Sequence, residues 1–230
     1  MNQTSSYYLD LMGIQRWKSR ETLSSHWSLP GDSVLPNNLP LDGFSIDQLD
    51  WDDLRSKVAE CTACDLCKTR KQTVFGVGSL QAKLMIVGEA PGFYEDAQGE
   101  PFVGKAGQLL NAMLQAIGLK REEVYIANVL KCRPPNNRDP APEEVVKCTP
   151  FLKRQVALLK PKLIIALGRH AAHFLLDTHE SLSKLRNKMY AYATTEVPLI
   201  VSYHPAYLLR NPIDKKHAYQ DWQKVIELLQ

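Results

Sequence analysis

KLMIVGEAPG, residues 83–92, decides the fold. Leu84 to Val87 form a short unbroken apolar run that stops at Gly88, the pattern of a strand buried on both faces. Gly88 and Gly92 in the following turn let a backbone approach a ligand closely. Working outward, similar runs recur at VYIANVLK (124–131), KLIIALG (162–168) and VPLIVSYHP (197–205). Helical periods separate them. In GQLLNAMLQAIG (107–118), Leu109, Leu110, Met113, Leu114 and Ile117 share one face, and Gly118 marks the stop. Pro142 opens a helix that continues toward Leu159, and HAAHFLLD (170–177) and AYQDWQKVIELL (218–229) supply two more. Strands alternating with helices predict an α/β fold: a three-layer α/β/α sandwich around a central, mostly parallel, four-stranded sheet.

The 230 residues suffice for one such domain and an appendage. Residues 45–230 are the expected domain, beginning with a helix from Ser45, which has capping-box spacing to Gln48, toward Cys61. Residues 1–44 differ. SYYLDLMGIQRWKSR places Tyr7, Leu11, Ile14 and Trp17 on one face of an amphipathic helix, and HWSLPGDSVLPNNLPLDG reads as a flexible linker. A tethered amphipathic helix suits docking to a protein partner. The apolar fraction is 44% and the net charge +3, which permits a nucleic-acid partner without arguing for one. The N-terminus lacks a basic region followed by an apolar run, and no stretch approaches a membrane span, so a soluble, cytoplasmic protein is expected.

Parallel α/β sheets bind ligands beyond the C-terminal ends of their strands. Three such ends carry unusual polar residues: GEAPG (88–92), Asn128 with the basic turn after it, and His204-Pro205. They should converge on one pocket. Five cysteines form a second constellation. Cys61 and Cys64 make a CxxC pair, Cys67 follows closely, and Cys132 and Cys148 come much later. In a reducing compartment these are metal ligands or buried thiols before they are disulfides. Four thiolates suit tetrahedral zinc and an iron–sulfur cluster equally well, and spacing does not choose.

The motifs CTAC (61–64), VGEAPGFYED (87–96), PFVGKAGQLLNAML (101–114), ANVLKCRPPNNRDP (127–140) and YHPAYLLR (203–210) resemble those of the family 4 uracil-DNA glycosylases, in order, from Cys61 to the C-terminus. The resemblance implies a monofunctional enzyme that hydrolyses the N-glycosidic bond of uracil in DNA, leaving an abasic site for base excision repair. It implies a 4Fe–4S cluster on Cys61, Cys64, Cys132 and Cys148, with Cys67 outside the ligand set. LDLMGIQRWKSR (9–20) also resembles, over a short stretch, the N-terminal peptide of a bacterial clamp-loader subunit, which points its partner toward the replication or repair machinery. The alternative is a non-catalytic, cluster-bearing DNA- or polymerase-associated binding protein of the same fold.

Uracil excision requires a flipped base, an edge reader, and donors where charge develops. Asn128 offers a donor and an acceptor that match uracil O4 and N3–H, and cytosine reverses that pattern. His204 corresponds to the family's HP-motif histidine and suits a hydrogen bond to uracil O2. Phe102, in an exposed-looking PFVG segment, is the candidate stacking platform that the resemblance favours. Gly88 and Ala90 line the base pocket; Ala90 stands where better-known relatives carry a water-orienting Asp. Glu89 and Glu95 are the catalytic carboxylates implied by the resemblance, with Asp96 nearby and the water-orienting group left open. Lys105, Lys131, Arg133, Arg138 and Arg210 are expected to grip phosphates, and Tyr207 and Leu208 to fill the gap left by the flipped base.

Overall fold

A computed structural model of the chain describes residues 45–193 and 195–229. The amphipathic helix and linker expected over residues 1–44 lie outside the described residues. A 3₁₀ turn at Ile46–Gln48 precedes α1 (Trp51–Ala59). Ser45 precedes that turn without a side-chain cap bond; the α-helix starts later, with Asp50 as N-cap, its Oδ1 accepting from the amides of Asp52 and Asp53. The chain continues through β1 (Val77–Gly78), β2 (Leu84–Gly88), α2 (Phe93–Gln98), α3 (Lys105–Ala116), β3 (Tyr125–Asn128), α4 (Pro142–Leu159), β4 (Leu163–Leu167), α5 (Arg169–Leu176), α6 (Leu182–Leu185), β5 (Met189–Ala191), β6 (Pro198–Ser202), α7 (Pro205–Arg210) and α8 (Lys215–Leu229).

The sheet has six strands in the order β1-β3-β2-β4-β6-β5. Its inner four are the apolar runs read from the sequence, all parallel. Two short antiparallel strands, β1 and β5, extend each edge. The second run is shorter than its apolar stretch: β3 stops at Asn128, and the next amides turn to bond the Gly88 and Glu89 carbonyls.

Alternation within the strands builds two cores. Met85 and Val87 face Leu152 and Val156 of α4 and Ala171 and Leu175 of α5. Leu84 and Ile86 face Leu110 and Leu114 of α3 and Trp222 and Val225 of α8. A helix layer therefore covers each face of the sheet, the expected three-layer sandwich. A third cluster joins Leu54 and Val58 of α1 to Leu66, Phe75, Cys132, Cys148 and Phe151. Among the described residues, no helix is long and apolar enough to cross a membrane.

The connection from β2 runs to β3 on one side, while β4 and β6 follow on the other. The order reverses between β2 and β4, opening a crevice beyond their C-terminal ends.

Candidate active site

A cavity of about 680 Å³ occupies that crevice, lined by residues from all three predicted strand ends, among them Glu89, Phe102, Asn128 and His204. Register brings them together. Gly88 pairs with Asn128 across the β2–β3 ladder, and a Cβ at 88 would lie 2.4 Å from Asn128 Oδ1 and 2.7 Å from Phe102 Cζ. Only glycine leaves the amide and the ring room to face the same space.

Asn128 is 2% exposed, and its Oδ1 has no hydrogen-bond partner. Its backbone is held from behind: Lys131 Nζ donates to the Asn128 carbonyl (2.8 Å) and to Gln155 Oε1 (2.6 Å), and Gln155 Nε2 donates to the Phe75 carbonyl. Lys131 is thus fully buried, with its pKa lowered to about 8 chiefly by burial, and does not reach phosphate. A lysine beside an arginine in a polar turn reads as solvated; only the packing of α4 over that turn reveals otherwise.

Phe102 is also buried rather than exposed. Its backbone takes φ +54, which costs a non-glycine residue on the order of 1–3 kcal/mol and marks a site held by its surroundings. Two contacts hold it. Glu95 Oε1 accepts from the amides of Val103 (3.1 Å) and Gly104 (3.2 Å). Gly107 lets α3 pack against the Phe102 carbonyl, where a Cβ would come within 1.7 Å. The Phe102 and His204 rings lie 5.4 Å apart, tilted by 31°.

His204 is the N-cap of α7, and its Nδ1 accepts from the Ala206 amide (3.1 Å). An accepting Nδ1 carries no proton, so the neutral ring has its hydrogen on Nε2. Burial, reinforced by the Arg210 charge and opposed by Glu95, pushes the His204 pKa down to about 4. At neutral pH the ring is therefore an uncharged Nε2–H donor. Gly168, at φ +87, makes room for it: a Cβ there would meet the His204 Cβ at 2.9 Å.

The carboxylates divide. Glu95 is committed to the Phe102 loop, and Asp96, 2% exposed, accepts from the Lys71 amide (2.9 Å). The half-buried Glu89 carboxyl group is pushed up to about 7 by desolvation and the Asp139 charge, with Arg169 opposing. His170, which the sequence reading missed, sets its Nε2 3.4 Å from Asp139 Oδ2 and 4.0 Å from Glu89 Oε2. Burial lowers the His170 pKa. A second missed feature fixes the end of β6: buried Arg186 bonds both Asp221 oxygens (2.8 and 3.0 Å), and Ser202 Oγ donates to Asp221 as well.

The expected DNA-facing residues also divide. Lys105 is exposed at the first residue of α3, where the helix dipole disfavours a cation, so helix stability does not account for it. Arg210 is exposed and lines the cavity. Arg138 lines it too, held by both Glu144 oxygens (2.9 and 2.5 Å). Arg133 is half-buried and donates to Asn137 Oδ1 (2.7 Å). Tyr207 stacks on Tyr203 with its hydroxyl donating to Asp214 (2.7 Å). Leu208, 1% exposed, is buried in the fold and is not presented as a wedge, whereas Leu209 beside it is exposed. On a short helix one residue decides the face, which a loop reading of YHPAYLLR does not resolve.

Behind the cavity, Cys132 and Cys148 are buried in the third apolar cluster with Cys61 and Cys64 against it; Cys67 is not part of that cluster. Arg70 donates to Cys132 Sγ (3.1 Å) and the Lys131 amide to Cys148 Sγ (3.2 Å). Burial raises the Cys64, Cys132 and Cys148 thiols, Cys148 to about 12, with the Lys131 charge and amide opposing at Cys148.

The sheet order and the crevice at its reversal, lined by Asn128 and His204, suit an enzyme that takes a nucleotide beyond its strand ends, and residues 75–229 match the uracil DNA glycosylase superfamily. Several relatives carry the description "type-4 uracil-DNA glycosylase". That of Archaeoglobus fulgidus is 47% identical over 183 residues, 77% of this chain and 92% of the relative. Those of Sulfurisphaera tokodaii and Saccharolobus solfataricus are 43% and 44% identical, over 76% and 80% of this chain and 83% and 88% of theirs. The chain belongs to the type-4 uracil-DNA glycosylase family.

Proposed function

We propose that the protein is a monofunctional uracil-DNA glycosylase that hydrolyses the N-glycosidic bond of uracil in DNA and leaves an abasic site. The observation that carries this reading is Asn128 Oδ1, buried and without a partner at a cavity of about 680 Å³, large enough to take a nucleotide. Such an acceptor costs about 1–3 kcal/mol unless a ligand satisfies it. Uracil N3–H does so. Cytosine N3 carries no proton and would leave it unpaired, which supports discrimination against the normal base.

In this mechanism the base enters beside Phe102, and Asn128 reads its edge. As the C1′–N1 bond breaks, its electron pair passes to uracil and charge accumulates on O2, where His204 Nε2–H donates. The deoxyribose becomes cationic, and the Glu89 carboxylate faces it and accepts a proton from the water that adds to C1′. Glu95 acts by positioning Phe102. No lysine lines the cavity among the described residues, and Lys131 Nζ is bonded elsewhere, which supports hydrolysis over imine chemistry.

Cys61, Cys64, Cys132 and Cys148 would hold a 4Fe–4S cluster. Cys132 and Cys148 are buried in one apolar cluster, and Cys61 and Cys64 pack against it. The amide and guanidinium donors on Cys148 and Cys132 suit cluster-bound thiolates. Ligation by these four thiolates would tie the 61–64 loop to the turn after β3 and to α4. Lys131 lies in that turn and holds the Asn128 carbonyl, so the residues of the cysteine site and the cavity share a support.

Residues 45–230 form the catalytic domain in this reading, and residues 1–44 serve a protein partner in replication or repair. The mechanism is tested by His204→Ala. Because the O2 bond strengthens as charge develops, single-turnover excision should fall roughly 10²–10³-fold, while affinity for uracil-containing DNA changes far less. A defect wholly in binding would remove His204 from the chemistry.

A further inference from the structure

Phe93 and Tyr94 are the first two residues of α2, 51% and 59% exposed. Their rings meet edge to face, centroids 5.5 Å apart and planes at 87°, so each braces the other without burying it. Two adjacent exposed rings offer flat apolar faces with which a planar ligand can pack. Two cations lie over the Phe93 ring, the Arg133 guanidinium 5.1 Å and Lys71 Nζ 5.5 Å from its centroid, where a base on this platform would meet them together with the Tyr94 ring. The platform adjoins the cavity, because Gly92 and Glu95, on either side of the pair, both line it. Arg133 is tied to Asn137, another lining residue.

Aromatic faces framed by cations complement a ligand with flat rings and negative charge, which is a strand of nucleic acid with unstacked bases. Bases in an intact duplex keep their faces against their neighbours and offer none to a protein surface. We infer that Phe93 and Tyr94, with Lys71 and Arg133, form a stacking subsite for an unpaired base flanking the uracil, and that the protein accordingly prefers uracil in single-stranded DNA. This deepens the proposed function and rests on uracil entering the adjoining cavity.

The test uses the full-length protein with single-stranded and duplex uracil oligonucleotides, each carrying 2-aminopurine next to the uracil. Wild type, Phe93→Ala, Tyr94→Ala, the double variant and Phe93→Leu are compared for affinity, probe fluorescence and single-turnover excision. Stacking changes the probe's fluorescence on the single strand, and the double variant should lose that change together with roughly 5- to 150-fold in single-strand affinity. Phe93→Leu, which keeps apolar bulk but no ring, should lose the same signal as Phe93→Ala. Duplex affinity should change much less. Equal losses on both substrates would overturn the inference in favour of a duplex wedge, and unchanged affinity and fluorescence would overturn it outright. Wild type that binds with the probe signal but releases no uracil would refute the excision reading while leaving the stacking subsite standing.

Discussion

Replacing Glu89 by Gln should make the protein more stable and less active, with the stability gain appearing only as pH rises. Partial burial beside the Asp139 charge, with Arg169 in opposition, pushes the carboxyl group up to about 7 from an ordinary 4.5. Below pH 4.5 both native and unfolded chains hold the proton, and the group contributes nothing. Between about 4.5 and 7 the unfolded chain releases its proton first, so the native state loses stability until both are ionised. The full loss corresponds to about 3 kcal/mol, and partial exposure of the side chain brings the expected effect to about 1–3 kcal/mol. Glutamine carries no charge to bury. Urea denaturation at pH 5 and pH 8 should therefore show the variant gaining about 1–3 kcal/mol on wild type between the two values. Single-turnover excision by wild type should rise with an apparent pKa near 7, and the variant should lose that rise along with roughly 10²–10⁴-fold in rate. A variant that excises at the wild-type rate, or whose stability relative to wild type is the same at both pH values, would refute the placement of Glu89 as the half-buried base.

Anaerobically purified protein should be brown and hold about four irons; Cys132→Ser or Cys148→Ser should bleach it and lower its melting temperature, Cys67→Ser should do neither, and a colourless protein with stoichiometric zinc would contradict the cluster. Deleting residues 1–44 should leave oligonucleotide excision nearly intact while abolishing capture of a replication or repair partner; an inactive or unfolded truncation would place that segment in the domain instead.

What the sequence displayed and what it concealed follow from the range of the interactions. Strands such as Leu84–Gly88 and Leu163–Leu167 are buried along their whole length, so their apolar runs are visible in one dimension. The edges Val77–Gly78 and Met189–Ala191 are two and three residues long and not fully buried, and nothing local distinguishes them from loop. Gly88, Asn128 and His204 stand at strand ends, where a topological rule gathers them without coordinates. Partnerships between distant residues stayed hidden: Lys131 with Gln155, His170 with Asp139, Arg186 with Asp221. Each pairs side chains whose spacing in the chain carries no signal. Phe102 misled for a related reason, since proline and glycine around it suggest an open loop, while the Glu95 carboxylate folds that loop inward.

The most direct measurement incubates wild type and Asn128→Asp with a uracil-containing oligonucleotide and then treats the products with alkali. Wild type should release free uracil and leave one alkali-labile site at its position, with the strand intact before alkali. Asn128→Asp, which adds charge to the pocket and removes an amide donor, should lower the single-turnover rate by about 2–4 kcal/mol of transition-state stabilisation, roughly 30- to 1000-fold. Wild type that yields no alkali-labile site, or an Asn128→Asp variant indistinguishable from it, would contradict the account.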